Sequence, residues 1–343
     1  RMGDEALGAA KEAYEESVQE WMAGLIQLYY GAWLAQTQAK SALESIELRK
    51  RLVDITRLKS KRGTSERPDV LQIENAMALT KLQATKARQN LGDQWRTLVS
   101  KLKLPEVFLT IDPLLVPMEI DNPAPEALKA CGPDALASVP KETAKMKRTS
   151  HQLAAAEASE AKAKNARLPD LQATGQFGSN GVDNRGNVGS TASGAFVFAN
   201  PAWALGLKLS VPLAGYQERA DLLKATGDVI KADADASEAV TNIRLDWLNG
   251  CMNVTRLTGV VDLLTENHRN QLERARLEES RFYIGRSSTA QVIQAQDDAS
   301  AAEQTLKGSE VELRMASWQI QRMSDGFKTY RKHLDGVIQT VQQ

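Results

Sequence analysis

The side chain best suited to moving protons near neutral pH is histidine, and this chain has three, His151, His268 and His333, none near another. No HExxH pair, GxSxG elbow or Walker A loop occurs in the sequence. Gly186 to Gly194 is glycine-rich but lacks the spacing and the strand-to-helix setting of a phosphate loop. Cys131 and Cys251 lie far apart, which fits neither a disulfide scaffold nor a zinc site. Nothing here asks for a cofactor or a metal, and the chain is not expected to be an enzyme. The remaining polar clusters flank two glycines. Around Gly63 stand Lys59, Lys61, Arg62, Thr64 and Arg67. This reads as a solvated basic cluster rather than a specific anion site. After Gly285 come Arg286, Ser287, Ser288 and Thr289, where the hydroxyls can cap a following helix. Asp69 follows Pro68 directly and suits a helix first turn, where a carboxylate complements the dipole.

What positions these clusters is an internal repeat. Beyond Gly63 the chain resumes at Val70, and beyond Gly285 at Val292, an offset of 222 residues. After the first glycine, Val70, Ile73, Met77, Thr80, Ala84, Ala87, Leu91 and Leu98 fall on alternating steps of three and four, with one slot skipped. After the second, Val292, Ala295, Ala299, Ala302, Leu306, Ser309, Leu313 and Ile320 fill the same slots. The helices before the breaks match too. Leu25, Leu28, Ala32, Ala35, Ala39, Ala42, Ile46 and Val53 form one seam, and Trp247, Gly250, Val254, Leu257, Val261, Leu264, His268 and Ala275 its counterpart. Such stripes favour coiled-coil packing, and their many small residues let helices approach closely. His268, on a seam slot, reads as packed or pore-lining rather than catalytic. Each stretch before a break spans roughly 55 to 70 residues, or about 80 to 100 Å of helix.

Composition agrees with long packed helices. Apolar residues make up 42% and aromatics only 5% of 343 residues. Lys+Arg and Asp+Glu both number 43, so no basic field argues for nucleic acid. Mean hydropathy is −0.37, and no apolar run is long enough for a membrane-spanning helix. Segment 104–140 carries Pro105, Pro113, Pro117, Pro123, Pro125, Pro133 and Pro140, so it reads as a connector with short helices or strands. A third helix, about 141–166, stops at Leu168-Pro169. In 170–212 the residues Leu171, Ala173, Gly175 and Phe177, and later Trp203, Leu205, Leu207, Leu209 and Val211, alternate with polar or small ones. That is a strand pair with one greasy and one wet face, joined by a Gly- and Asn-rich loop from Ser179 to Asn200. The fold class is mainly α with a small β part.

The order of these pieces is helix, Ala-Arg-Leu-Pro (166–169), strand, loop, the run from Trp203 to Leu213, a very long helix, a glycine tip and a returning helix. It resembles the TolC-type outer-membrane efflux proteins, the outer membrane factor family, over nearly the whole chain. The resemblance implies a homotrimer. Its long antiparallel helices form an α-barrel through the periplasm, and its strands a transmembrane β-barrel of about twelve strands in outer-membrane lipid. It implies a passive exit duct of a tripartite efflux or type I secretion system, exporting small molecules or proteins. A periplasmic adaptor protein bound to an inner-membrane pump would meet the tips at Gly63, Thr64, Gly285, Arg286, Ser287 and Ser288. The family's pore constriction falls at Gln291 and Gln294, with Asp69 and Gln72 matching in the first repeat. Three of these four are glutamines and one is an aspartate, which argues against a strongly acidic gate, although Asp297 and Asp298 lie one turn on.

The segments then read as 1–103 (first long hairpin), 104–140 (equatorial connector), 141–169 (tunnel helix), 170–212 (barrel strand pair with its loop), 213–327 (second long hairpin) and 328–343 (equatorial C-terminal segment). Aligned on the offset, a first strand pair of the full protein is expected upstream of Arg1, within about a hundred further residues. A soluble periplasmic coiled-coil adaptor or structural scaffold is the rival reading. It explains the heptads equally well, but not the Trp203–Val211 strand.

Overall fold

Long stretches rich in alanine, leucine and charge, free of interior proline, wind into helices. The computed structural model describes residues 2–63, 65–111, 124–132, 143–179, 201–211, 215–325 and 327. Helix α1 spans Met2–Lys61 and α2 spans Arg67–Leu102. A 3-10 turn at Glu106–Thr110 and a short α3, Ala124–Ala130, follow within the proline-rich connector. Helix α4 is Ala144–Asn165, strands β1 and β2 are Asp170–Ser179 and Pro201–Ser210, and α5 and α6 are Tyr216–Tyr283 and Thr289–Asp325. At 60 and 68 residues, α1 and α5 have the lengths the periodicity predicts. Thr64, His333, the loop 180–200, the remainder of the connector and the C-terminal segment 328–343 lie outside the described residues.

The helix ends follow local rules. Gly63 (φ 73°) and Gly285 (φ 77°) take the left-handed backbone that lets a helix stop and the chain reverse. At the second break the Gly285 N–H donates to the Phe282 carbonyl and the Arg286 N–H to that of Arg281, the paired bonds of a Schellman stop. Lys103 closes α2 with the same geometry at φ 52°, a conformation that costs a non-glycine residue about 1 kcal/mol.

The chain divides into two compact units. The smaller joins the start of α1, up to Lys11, with residues 148–238. In it β1 pairs antiparallel with β2, Leu171 opposite Leu209, Ala173 opposite Leu207, Gly175 opposite Leu205 and Phe177 opposite Trp203. Side chains alternate faces along a strand, so this register collects every large apolar residue on one side. Gln172 and Lys208, Thr174 and Gly206, and Gln176 and Ala204 take the other. His151 Nδ1 sits 2.8 Å from Glu5, and the Thr226 hydroxyl donates to Glu160 at 3.0 Å.

The larger unit, residues 12–147 with 239–343, carries the helical core. The buried members of the four seams are Ala32, Ala35, Ala39 and Val53 on α1, Ile73, Thr80, Ala84 and Leu98 on α2, Trp247, Val254, Leu257 and Ala275 on α5, and Val292, Ala295, Ala299, Leu306, Leu313 and Ile320 on α6. His268 is half-buried on α5. Trp247 and Ile320 anchor one cluster, and Tyr30, Trp318 and Phe327 another. Burying each such large side chain is worth about 1.5–3 kcal/mol. The cysteines depart from the sequence reading. Cys131 and Cys251 are joined as a disulfide, with Cα atoms 5.7 Å apart. The reason is spatial, because α3 returns onto the cluster formed by α5 and α6, a proximity that separation along the chain does not reveal.

Candidate pore constriction and docking tips

Beneath the two glycine breaks, Leu52 and Val53 of α1, Ile73 of α2, Phe282 of α5 and Val292 of α6 form one buried cluster. It brings the four helix ends together. Polar contacts reinforce it. Lys59 Nζ lies 3.7 Å from the centroid of the Phe282 ring and donates to the Phe282 carbonyl, tying α1 to α5. Desolvation there lowers the Lys59 pKa. Arg57 donates to Glu74 from Nε at 3.0 Å and from Nη2 at 2.5 Å, linking α1 to α2 across the first break. Across the second, the Ser287 hydroxyl donates to Glu278 at 2.6 Å. That bond chiefly holds the Glu278 carboxyl below its usual range, with Arg281 and Arg274 assisting and desolvation opposing.

The residues expected at a constriction have local tasks as well. Asp69 is the third residue of α2 and closes a capping box, accepting from the Glu66 N–H at 3.2 Å and from the Ser65 hydroxyl at 3.0 Å. Gln291, its partner under the 222-residue offset, does the same for α6. Its Oε1 accepts from the Ser288 N–H at 2.9 Å, while the Ser288 hydroxyl accepts from the Gln291 N–H at 3.3 Å. Gln72 and Gln294 are exposed one turn on. Gln294 donates to Asp298 at 2.7 Å, and Asp298 also pairs with Arg274 at 3.0 Å. Asp297 is engaged by Arg49. At the tips Lys61, Arg62, Gly63 and Arg67 are exposed, as are Gly285, Arg286 and Ser288, while Ser287 is partly covered. Tyr283 and Ile284 also stand out to solvent beside Gly285.

Arg49 is the polar residue that the sequence reading passed over. It is 3% exposed, with one guanidinium nitrogen on Asp297 and another, Nη1, without a hydrogen-bond partner. Its position carried a signal, because Arg49 fills the slot skipped between Ile46 and Val53 in the first seam. The Ser41 hydroxyl donates to Glu303 at 2.9 Å, a second polar link between α1 and α6.

The strand pair presents another surface. Leu171, Phe177, Trp203, Leu205, Leu207 and Leu209 are each 64–79% exposed, all on one face. Among the described residues, β1 and β2 pair only with each other, so both sheet edges are open. Such a face is unfavourable in water and suited to hydrocarbon.

Comparison with known proteins agrees with this geometry. No curated protein matches the chain. The outer-membrane channel OprN matches with a TM-score of 0.75 at 19% identity, over 95% of this chain and 70% of that one. The outer membrane protein VceC from Vibrio cholerae matches with a TM-score of 0.76 at 12% identity, over 94% and 74%. The CmeC outer membrane channel of Campylobacter jejuni gives 0.73 at 15% identity, over 95% and 66%. At these identities the likeness establishes the fold. The family model for outer membrane efflux proteins matches residues 138–325, more than half of the sequence. With its long helical hairpins and its strand pair bare on one apolar face, the chain belongs to the outer membrane efflux protein family.

Proposed function

We propose that this chain is one protomer of a homotrimeric exit duct, in which α1, α2, α4, α5 and α6 line a periplasmic tunnel and the strand pair forms part of an outer-membrane barrel. The carrying observation is the single apolar face of the strand pair, exposed along its whole length. Lipid covers such a face, and lipid requires that the open edges be closed by further strands. The aromatic pair Phe177–Trp203, at the loop end of the hairpin, fits the aromatic girdle of an outer-membrane barrel. The duct itself is passive and carries out no reaction. Energy comes from an inner-membrane pump, reached through a periplasmic adaptor that docks on the tips. The basic rim of Lys61, Arg62 and Arg67 and the exposed Tyr283 and Ile284 give that adaptor both charge and apolar surface.

In this reading Asp69, Gln72, Gln291 and Gln294 ring the narrow end, so the pore is weakly acidic, with side-chain charge setting ion preference. Planar-bilayer recording of the full-length trimer tests both parts. A steady conductance is expected, and a trimer that conducts nothing refutes the duct. Gln291→Asp is a clean probe of the ring, since an acid at that helix position keeps the capping box, as Asp69 does in α2. It should move the reversal potential in a salt gradient towards the cation value. An unchanged potential removes Gln291 from the constriction.

A further inference from the structure

Among its described residues, the connector between α2 and α4 buries little. Helix α3 has seven residues, too few to be stable alone. Of its described side chains only Ala127 is fully buried, against the cluster of Ile243, Trp247, Val254 and Ile320, while Leu128 and Lys129 are exposed. An alanine buries little apolar surface, so this contact alone is a weak anchor. The residue that follows α3, Cys131, is bonded to Cys251 in the middle of α5. Both cysteines pack partly buried against the same cluster, as do Ala130, Met146 and Val261.

We propose that the Cys131–Cys251 disulfide is a covalent clamp that holds the connector on the α5–α6 hairpin, and that a periplasmic disulfide-carrying oxidoreductase installs it. The compartment supplies the chemistry. Outer-membrane proteins fold in an oxidising space, where such bonds form and persist. One cysteine thiolate attacks a sulfur of the oxidoreductase disulfide, forming a mixed disulfide and releasing one of its thiolates. The second cysteine thiolate attacks the mixed disulfide at its substrate sulfur. The Cys131–Cys251 bond forms and the oxidoreductase leaves as a dithiol. Two electrons pass to it, and the two protons lost by the cysteines balance those its thiolates take up. The clamp closes a loop with a sequence separation of 120, holding α4, both strands and the first half of α5. A crosslink over so long a loop removes much of the freedom of the unfolded chain. Its effect on the native state falls on α3, whose described side chains bury only Ala127 fully.

The test uses the full-length trimer purified in detergent without reductant. Alkylation and digestion followed by mass spectrometry should recover a peptide joining Cys131 to Cys251, and recovery of both as alkylated thiols overturns the proposal. Expression without the periplasmic thiol oxidase should deplete the joined peptide at least tenfold, and undiminished joining refutes the installing partner. The folded trimer is then reduced with a phosphine until both thiols alkylate, and trypsin cleavage after the exposed Lys129 is timed against cleavage at Arg286 on the tip. Lys129 should be cut at least tenfold faster after reduction, with Arg286 unchanged. Equal rates at Lys129 overturn the clamp. The double substitution Cys131→Ser/Cys251→Ser should behave as the reduced protein does. If that variant fails to reach the membrane, reduction of the folded trimer still decides. Conductance is read in parallel, so failure of the clamp and failure of the duct are separate results.

Discussion

Removing the carboxylate of Asp297 should cost more than removing the buried cation it faces. Arg49 is 3% exposed on α1, and the Asp297 side chain on α6 is 59% exposed. Desolvation lowers the Arg49 pKa, and the carboxylate partly restores it. Two unit charges about 4 Å apart at an effective dielectric of about 20 attract by about 4 kcal/mol. Water around the exposed carboxylate screens this, so about 2 kcal/mol is a fair share for the pair. Asp297→Ala strips the counter-charge and leaves the guanidinium in its low-dielectric slot, costing about 2 kcal/mol. Arg49→Met removes the buried charge and leaves Asp297 to water, so it should change stability by less than about 1 kcal/mol, in either direction. Joined to Arg49→Met, Asp297→Ala should add almost nothing, and the cycle isolates the coupling. Urea unfolding of the detergent-solubilised trimer, followed by circular dichroism, reads the order of midpoints. Refutation would be a wild-type midpoint for Asp297→Ala, or equal losses for the two single substitutions.

Gly285→Ala should lower stability by about 1 kcal/mol through backbone strain alone, because φ is 77° and a Cβ there meets nothing within 4 Å; a Gly285→Asn variant, better tolerated in that conformation, should recover part of the loss. Trp247→Ala should cost about 3–5 kcal/mol, since the side chain is 2% exposed at the centre of the α5–α6 cluster, and an unfolding midpoint within error of wild type would contradict the packing. The depressed Glu278 pKa gives the second tip an acid sensitivity. Its contribution is complete above the unfolded value of 4.5 and is lost as pH falls through the lower folded value, so amide protection at 284–289, taken relative to the intrinsic exchange rate at each pH, should fall there, and Glu278→Gln should abolish that pH dependence.

The strand pair was legible because a half-exposed strand has a period of two, and the run from Trp203 to Leu209 keeps that period without a fault. The long helices were legible because their seams hold a three-four step for dozens of residues, a pattern no strand supports. The third helix, expected at about 141–166, is Ala144–Asn165, since Pro169 and the connector prolines bound it on both sides. Less could be read of the side-chain partners. Arg49 shows in sequence only as a gap in an apolar stripe, and which acid answers it depends on α6 lying beside α1. The disulfide was hidden for the same reason, as Cys131 reaches Cys251 only once α3 has docked. Lys59 read as one of four like charges, yet it is the one drawn over a buried aromatic ring, a choice made by the position of Phe282 and not by local composition.

In the proposed duct, the helix starts beyond the tips bear on how gate charge can vary within one architecture. Asp69 and Gln291 occupy the same place in their helices and accept the same kind of backbone bond, though one is an anion and the other neutral. A capping box needs an acceptor oxygen at that position and is indifferent to net charge. Folding therefore fixes the presence of an oxygen there but leaves its ionisation open. Residues one turn on, Gln72 and Gln294, are exposed and carry no burial constraint that would fix their charge. In the proposed duct, substitution at these positions can thus retune which ions pass without disturbing the seams, whose buried slots are mostly alanine, valine, isoleucine and leucine, with Thr80 and Trp247 beside them. The charged seam slot, Arg49, draws its counter-charge from Asp297, so that acid is held by the fold. In the proposed duct, Asp69, Gln72, Gln291 and Gln294 are the side chains whose charge the fold leaves open to what passes them.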